Sequence, residues 1–137
     1  MRHFAAITLP SHVSDALVRH ARQSAPFECC GLLIGDESAI VDLYHVQNIA
    51  SEPRRMYTVD PDAYFHAIRE ARSRGLQVIG AYHSHPGSLA VPSPTDREHA
   101  FSGFLFVIVG LADDPPTVLG WELIAGNFAA VPLVKTA

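Results

Sequence analysis

Two histidines one residue apart, followed by a serine and an aspartate, are the residues of this sequence best suited to chemistry. His83 and His85 lie in the segment HSHP, and Ser93 and Asp96 follow it. The apolar run before HSHP predicts a strand, and alternate residues of a strand point to the same face, so both imidazoles can bind one ion. Zinc accepts neutral imidazole and carboxylate ligands, and a catalytic zinc keeps another coordination position open. His83, His85 and Asp96 are therefore candidate ligands of Zn²⁺.

Each part of this pattern also has an ordinary structural explanation. Histidines are common on protein surfaces, and a pair with this spacing is weak support for a metal site by itself. The S-x-x-D spacing from Ser93 to Asp96 matches a helix capping box, with Pro94 at the first helical position. The two interpretations are compatible, because a cap would hold Asp96 rigidly in the first turn. A serine hydroxyl used fully as a cap would, however, be less free for catalysis.

Together these residues resemble the JAMM, or MPN-plus (Mov34/Pad1-like), family of zinc metallopeptidases. HSHP, six residues, the serine, two residues and the aspartate match the family motif in residue type and spacing. Residues 26–35 (PFECCGLLIG) are similar to the first core strand of the family, which carries its catalytic glutamate. Residues 48–50 (NIA) and 57–61 (YTVDP) resemble the short bacterial and archaeal members. The resemblance covers residues 28–110 and is closest to the short prokaryotic type.

The resemblance implies a role for each candidate residue. His83, His85 and Asp96 are similar to the three metal ligands of the family, and Zn²⁺ is the implied cofactor. Glu28 matches the glutamate that takes a proton from water and gives it to the leaving amine. Ser93 matches the serine that donates a hydrogen bond to the developing oxyanion. Composition alone favours a solvent-facing carboxylate at the start of a strand for Glu28, so its catalytic role depends on the resemblance.

The resemblance also implies a class of substrate. The family includes isopeptidases that remove ubiquitin, and short prokaryotic enzymes that act on ubiquitin-like sulfur-carrier proteins ending in Gly-Gly. The ECCGLLIG strand and the short chain favour the second group, which hydrolyses the amide bond after Gly-Gly and releases cysteine or another appended residue. Two alternatives stay open: a JAMM deubiquitinase-like peptidase with another protein substrate, and a non-catalytic MPN-type interaction module. The second is disfavoured because every ligand and the glutamate are present.

Charge and composition disfavour other functions. The formal net charge is −4 with ten lysine and arginine residues, so the chain lacks the dense basic surface that nucleic acid requires. The H-x-E and P-C-x-x-C segments of zinc nucleobase deaminases are absent. Cys29 and Cys30 are adjacent and point to opposite faces of a predicted strand, so we expect them to fill the core instead of forming a disulfide.

Length and hydropathy bound the domain organisation and the location. The 137 residues suit a single JAMM/MPN-plus catalytic domain, expected over residues 1–137. The apolar run near the N-terminus stops at Pro10, which is too short for the core of a signal peptide. No segment approaches the ~20 apolar residues of a membrane span. We therefore expect a cytoplasmic protein with no membrane partner.

Hydrophobic periodicity predicts a mixed α/β fold. Helices are expected from Ser11, as an N-cap, from Pro61 and from about Thr95 to Phe101. The predicted strands cover residues 4–9, 28–35, 40–46, 77–82, 104–109, 118–124 and 128–134. The fold class expected is α/β, with a mostly antiparallel mixed sheet sandwiched by helices. The resemblance narrows this class to the JAMM/MPN (cytidine deaminase-like) fold.

Overall fold

The structure, a computed structural model, describes residues 2–137, which form eight strands and three helices. In chain order these are β1 (Ile7–Pro10), α1 (Ser11–Ser24), β2 (Cys30–Gly35), β3 (Ile40–Val46), α2 (Pro61–Ser73), β4 (Gln77–His85), α3 (Pro94–His99), β5 (Leu105–Gly110), β6 (Thr117–Ile124), β7 (Asn127–Val131) and β8 (Leu133–Thr136). Strands β2 to β7 form one sheet in the order β3-β2-β4-β5-β6-β7, and β1 pairs with β8 separately. Neighbours in the larger sheet are antiparallel except β4 and β5.

The two longer helices cover opposite faces of the larger sheet. α1 buries Leu17 and Ala21 in a hydrophobic cluster that includes Leu33 of β2. α2 buries Ala67 in a second cluster that includes Leu32 of the same strand. Successive residues of β2 thus belong to different clusters, because side chains alternate across a strand and both faces are covered. This arrangement confirms the predicted α/β sandwich.

The helix ends follow local sequence in one case and depart from it in another. α2 begins at Pro61 as predicted, and the chain leaves it through Gly75, whose φ of 71° favours glycine. The expectation that Ser11 caps α1 is wrong. Pro10 occupies the N-cap position, and the Ser11 hydroxyl donates to the carbonyl of Thr136 at 2.6 Å, which ties α1 to β8. None of the helices within residues 2–137 combines the length and apolar character needed to cross a membrane.

Several predicted boundaries move for identifiable reasons. β4 continues through His85 instead of ending at residue 82, because HSH pairs with the end of β5. The predicted strand over residues 128–134 is divided into β7 and β8 at Pro132, which has no N–H to donate to a ladder. β1 begins at Ile7, and α3 ends at His99.

Strand β4 carries both candidate histidines and is packed tightly between β2 and β5. Close approach requires glycine at two positions along these strands. A Cβ atom at Gly31 of β2 would overlap the ring of Tyr82, which lies across it. A Cβ atom at Gly80 would overlap the carbonyl oxygen of Leu105, its partner residue in β5. The backbone that presents the histidines is therefore held on both sides.

We expect Gly80→Ala to destabilise the protein by about 1–3 kcal/mol, because the added methyl group has to displace the backbone of β5. Gly87→Ala is the matched control, since a Cβ atom at Gly87 meets nothing within 4 Å. Urea unfolding of the metal-free protein, followed by circular dichroism, measures both free energies of unfolding. Equal values for the two variants would contradict the close approach of β4 and β5 at Gly80.

Candidate metal centre

The last residues of β4 place two imidazoles on one face of the sheet. His83 and His85 point to the side covered by α2, and both are buried, with relative exposures of 2% and 5%. The intervening Ser84 points to the other face, where its hydroxyl accepts a hydrogen bond from the N–H of Cys29 at 2.8 Å. The predicted common orientation of the two histidines is confirmed.

Helix α3 brings Asp96 to the histidines through the predicted capping box. The N–H of Asp96 donates to Ser93 Oγ at 3.1 Å, and the N–H of Ser93 donates to Asp96 Oδ2 at 2.9 Å. Asp96 Oδ1 lies 3.1 Å from His83 Nε2, and Oδ2 lies 3.0 Å from His85 Nε2. A helix of six residues is too short to be stable alone, so the cap matters to the position of the carboxylate.

These three side chains form a group able to hold a metal ion. The two Nε2 atoms are 3.3 Å apart, and one ligand atom from each of His83, His85 and Asp96 lies within 4.8 Å of the others. Two imidazoles and a carboxylate match the donor set of catalytic zinc sites. The residues present therefore fit the metal that the sequence pattern implies.

The two histidine rings are oriented by different contacts. His85 Nδ1 lies 2.8 Å from the carbonyl of Leu89, and a hydrogen bond donated there leaves Nε2 as the metal-ligating nitrogen. His83 Nδ1 is buried and has no hydrogen-bond partner among residues 2–137. The ring of His83 instead stacks on Tyr57, with centroids 4.4 Å apart and planes 21° from parallel.

The charges of the three side chains suit a cation. Burial lowers the pKa of His83, which favours its neutral, ligating form. Burial alone would raise the pKa of Asp96, but hydrogen bonds from His83 and His85 hold it well below the usual range. Burial alone would lower the pKa of His85, but its hydrogen bonds to Asp96 and to the Leu89 carbonyl outweigh burial and raise this pKa. A metal ion needs the neutral imidazole of His85, so the raised pKa makes protonation of His85 compete with metal binding.

Glu28 lies beside this group, two residues before the first residue of β2. Cys30 pairs with His83, and continuing this antiparallel register by two residues places Glu28 opposite His85. Glu28 is only 6% exposed, and its Oε1 atom has no hydrogen-bond partner in the described part of the chain. Burial raises the pKa of Glu28 to about 7, with His85 opposing this shift and Asp96 adding to it. The solvent-facing carboxylate expected from composition alone is therefore wrong.

The remaining histidine and cysteine candidates lie outside the group. His99 is exposed on α3, and its Nδ1 atom lies 3.0 Å from the Thr95 carbonyl. Cys29 and Cys30 are buried free thiols that belong to clusters on opposite faces of the sheet. Their predicted role as core residues is confirmed.

Sequence reasoning did not identify three contributors to the site. Tyr57 lies in a segment that resembles the family, but nothing in the pattern indicates its stacking on His83. Leu89 acts through its backbone carbonyl, so its residue type carries no signal. Trp121 of β6 donates its indole N–H to the Ala90 carbonyl at 3.0 Å, beside Leu89.

The fold and the site together define a metal-dependent hydrolase. Two buried histidines and a partly buried aspartate adjoin a buried glutamate, on a mixed sheet covered by helices on both faces. The model of the family described as prokaryotic homologs of the JAB domain matches residues 10–124, and the chain belongs to this family.

Similar proteins agree with this assignment. A desampylase from Haloferax volcanii is 38% identical over 109 residues, which cover 74% of this chain and 78% of the relative. The probable TtuB-protein conjugate cleaving protease of Thermus thermophilus is 30% identical over 108 residues, 79% of this chain and 72% of the relative. A solution structure from Desulfitobacterium hafniense has a TM-score of 0.86 at 28% identity and covers 95% of this chain and 92% of that one. The predicted JAMM/MPN fold is confirmed, and the chain is a metallopeptidase of the JAMM type.

We expect the metal-free protein to bind about one divalent transition-metal ion per chain, with a donor set of imidazole and carboxylate. His85→Ala and Asp96→Ala should each abolish binding, because each removes one atom of the converging group. His99→Ala is the matched control, since it removes an exposed histidine one helical turn from Asp96. Elemental analysis after dialysis measures the occupancy. Full occupancy in both ligand variants would refute the assignment.

Proposed function

We propose that this chain is a zinc peptidase that hydrolyses the amide bond after the C-terminal Gly-Gly of a ubiquitin-like sulfur-carrier protein. The observation that carries the proposal is the buried Glu28 carboxylate beside the metal-binding group. The names of two relatives, a desampylase and a TtuB-protein conjugate cleaving protease, support a protein conjugate as the substrate. A cytoplasmic location and the lack of a nucleic-acid partner stay predictions.

His83, His85 and Asp96 are the residues that would hold zinc. The hydrogen bond of His85 Nδ1 with the Leu89 carbonyl and the stacking of His83 on Tyr57 keep both rings directed at the carboxylate. Zinc held by these residues would supply a Lewis acid, able to lower the pKa of water to about 7 and to polarise a carbonyl. The side chains around it then have to move protons and stabilise charge.

Glu28 carries out the proton transfers in this proposal. Its Oε1 atom, buried and without a hydrogen-bond partner among residues 2–137, takes a proton from the attacking water as the new C–O bond forms. The protonated carboxyl then gives this proton to the amide nitrogen as the C–N bond breaks, so the amine leaves neutral. A carboxyl whose pKa is raised by burial is suited to both steps near neutral pH.

Ser93 can serve the helix and the reaction at the same time. Its hydroxyl oxygen accepts the hydrogen bond of the Asp96 N–H in the capping box. A hydroxyl has one proton to donate in addition to its acceptor capacity, so capping does not consume the proton. We assign this proton to the oxygen of the scissile carbonyl as it gains negative charge.

Glu28→Gln should retain the metal and the fold but lower kcat by about 10³–10⁴-fold, because it removes the base without removing a ligand. Ser93→Ala should lower kcat by about 10²-fold, because it removes one oxyanion donor. Asp60→Ala is the matched control for the lost cap, since Asp60 Oδ1 accepts from the N–H of Asp62 at the start of α2. Wild-type turnover by Glu28→Gln, measured with metal content, would refute the proton-transfer role.

The substrate tail is expected to lie extended between residues 48–57 and 87–92. Tyr57 of the first segment contacts His83, and Leu89 of the second contacts His85, so the segments flank the metal-binding group. Both present apolar side chains that are about half exposed: Ile49, Leu89 and Val91. Glycine offers no side chain to grip, so a Gly-Gly tail has to be recognised through its backbone, in a channel too narrow for larger residues.

Replacing either glycine of the carrier tail with leucine should therefore lower kcat/KM sharply, and alanine should have a smaller effect. On the enzyme, Leu89→Ser and Val91→Ser should raise KM, whereas Val134→Ser, an equally exposed apolar residue on β8, should not. Intact-mass spectrometry reports cleavage of carriers that bear either a single cysteine or an isopeptide-linked protein after Gly-Gly. Equal processing of Gly-Leu and Gly-Gly tails would contradict the narrow channel.

A further inference from the structure

The side chain of Asn48 makes four hydrogen bonds in the loop between β3 and α2. Its Nδ2 atom donates to the carbonyls of Glu28 and Met56, each at 3.0 Å. Its Oδ1 atom accepts from the N–H of Ala50 at 3.0 Å and from the N–H of Thr58 at 3.1 Å. An amide has two N–H donors and an oxygen with two lone pairs, so the whole capacity of this side chain is used.

Two of these bonds bracket Tyr57. Asn48 accepts from the residue after Tyr57 and donates to the residue before it, so the backbone is held on both sides of the ring. This ring is the one that stacks on His83. Because His83 Nδ1 has no hydrogen-bond partner among residues 2–137, the stacked ring takes the place of the hydrogen bond that usually orients a metal-ligating histidine.

A third bond connects the same side chain to Glu28. The Glu28 carbonyl accepts from Asn48, and the Glu28 N–H donates to the carbonyl of Pro53, in the same loop, at 2.8 Å. Both backbone polar groups of Glu28 are thus bonded to residues 48–53. The Asn48 amide therefore contacts the backbone of Glu28 as well as the backbone on both sides of Tyr57.

We propose that Asn48 is a positioning residue that holds the Glu28 carboxylate and, through Tyr57, the His83 imidazole in one fixed arrangement. Asn48 acts indirectly, through the residues with which it forms hydrogen bonds. Removing groups that orient metal-ligating histidines typically costs about 10–100-fold in metal affinity or activity, and an effect of this size is expected here. The kinetic part of the inference rests on the proposed function, whereas the metal-binding part does not.

Two substitutions of Asn48 separate its donor and acceptor bonds. Asn48→Ala removes all four bonds. Asn48→Asp keeps both acceptor bonds and removes the two donor bonds, including the one to Glu28. Gln47→Glu is the matched control, because it makes the same change from amide to carboxylate at an exposed neighbour.

Measurements on the metal-free protein test the hydrogen bonds of Asn48 without depending on activity. Amide hydrogen exchange should keep its protection at Ala50 and Thr58 in Asn48→Asp and lose it in Asn48→Ala. Cobalt affinity by competition with a chelator should fall about tenfold or more in Asn48→Ala, with an altered cobalt absorption spectrum. Tyr57→Leu should lower the affinity similarly, and the double variant should lose less than the sum of the two effects.

The kinetics separate positioning from substrate contact. In zinc-loaded protein, Asn48→Asp should lower kcat about tenfold or more with KM within about twofold of wild type, and Gln47→Glu should change neither. The inference is overturned if both Asn48 variants bind cobalt with wild-type affinity and spectrum, or if the Asn48 and Tyr57 effects on affinity are additive. If the wild type cleaves no carrier conjugate, the proposed function fails, while exchange, affinity and spectrum still decide the role of Asn48.

Discussion

The antiparallel register between β2 and β4 is the constraint on which the site depends. Cys30 of β2 pairs with His83 of β4. In an antiparallel pair, the residue two positions before Cys30 then lies opposite the residue two positions after His83, so Glu28 lies opposite His85. A slip of one residue would turn an entire strand to the opposite face of the sheet. Gly31 protects this register, because it lets the Tyr82 ring of β4 approach the β2 backbone too closely for any other residue. Gly80 has the same effect on the pairing of β4 with Leu105 of β5.

A buried cluster of ionisable groups is costly unless its members satisfy one another. Asp96 meets this requirement for both histidines, since one carboxylate oxygen faces each Nε2 atom. Glu28 Oε1 and His83 Nδ1 are the buried side-chain atoms of residues 2–137 that stay without a partner, and both lie at this centre. Groups left unsatisfied in an otherwise well-bonded interior are typical of a site built for a ligand or a reaction.

The sequence predicts the parts of the site that reside in side-chain type and spacing. The two histidines, the aspartate and its capping box follow from HSHP and S-x-x-D, and the order of helices and strands follows from periodicity. Burial of Glu28 does not follow, because it arises from pairing between distant parts of the chain. The neighbouring hydrogen bond from Cys29 to Ser84 joins residues 55 positions apart. The contact of the Leu89 carbonyl with His85 cannot be predicted from the sequence either, since every residue has a backbone carbonyl. Ser11 misleads for a related reason: its hydroxyl bonds to Thr136 of a strand at the other end of the chain.

Asp96 shows how the local fold and the site share atoms. Its Oδ2 atom accepts the N–H of Ser93 and lies 3.0 Å from His85, whereas its Oδ1 atom faces His83. The cap therefore fixes the carboxylate rotation that directs one oxygen to each imidazole. A helix as short as α3 gains little from its own hydrogen bonds and buries none of its residues, so core packing does not account for its place in the fold. Its contribution is to hold the Asp96 carboxylate and the hydroxyl of its N-cap residue, Ser93, three positions apart in one capped turn.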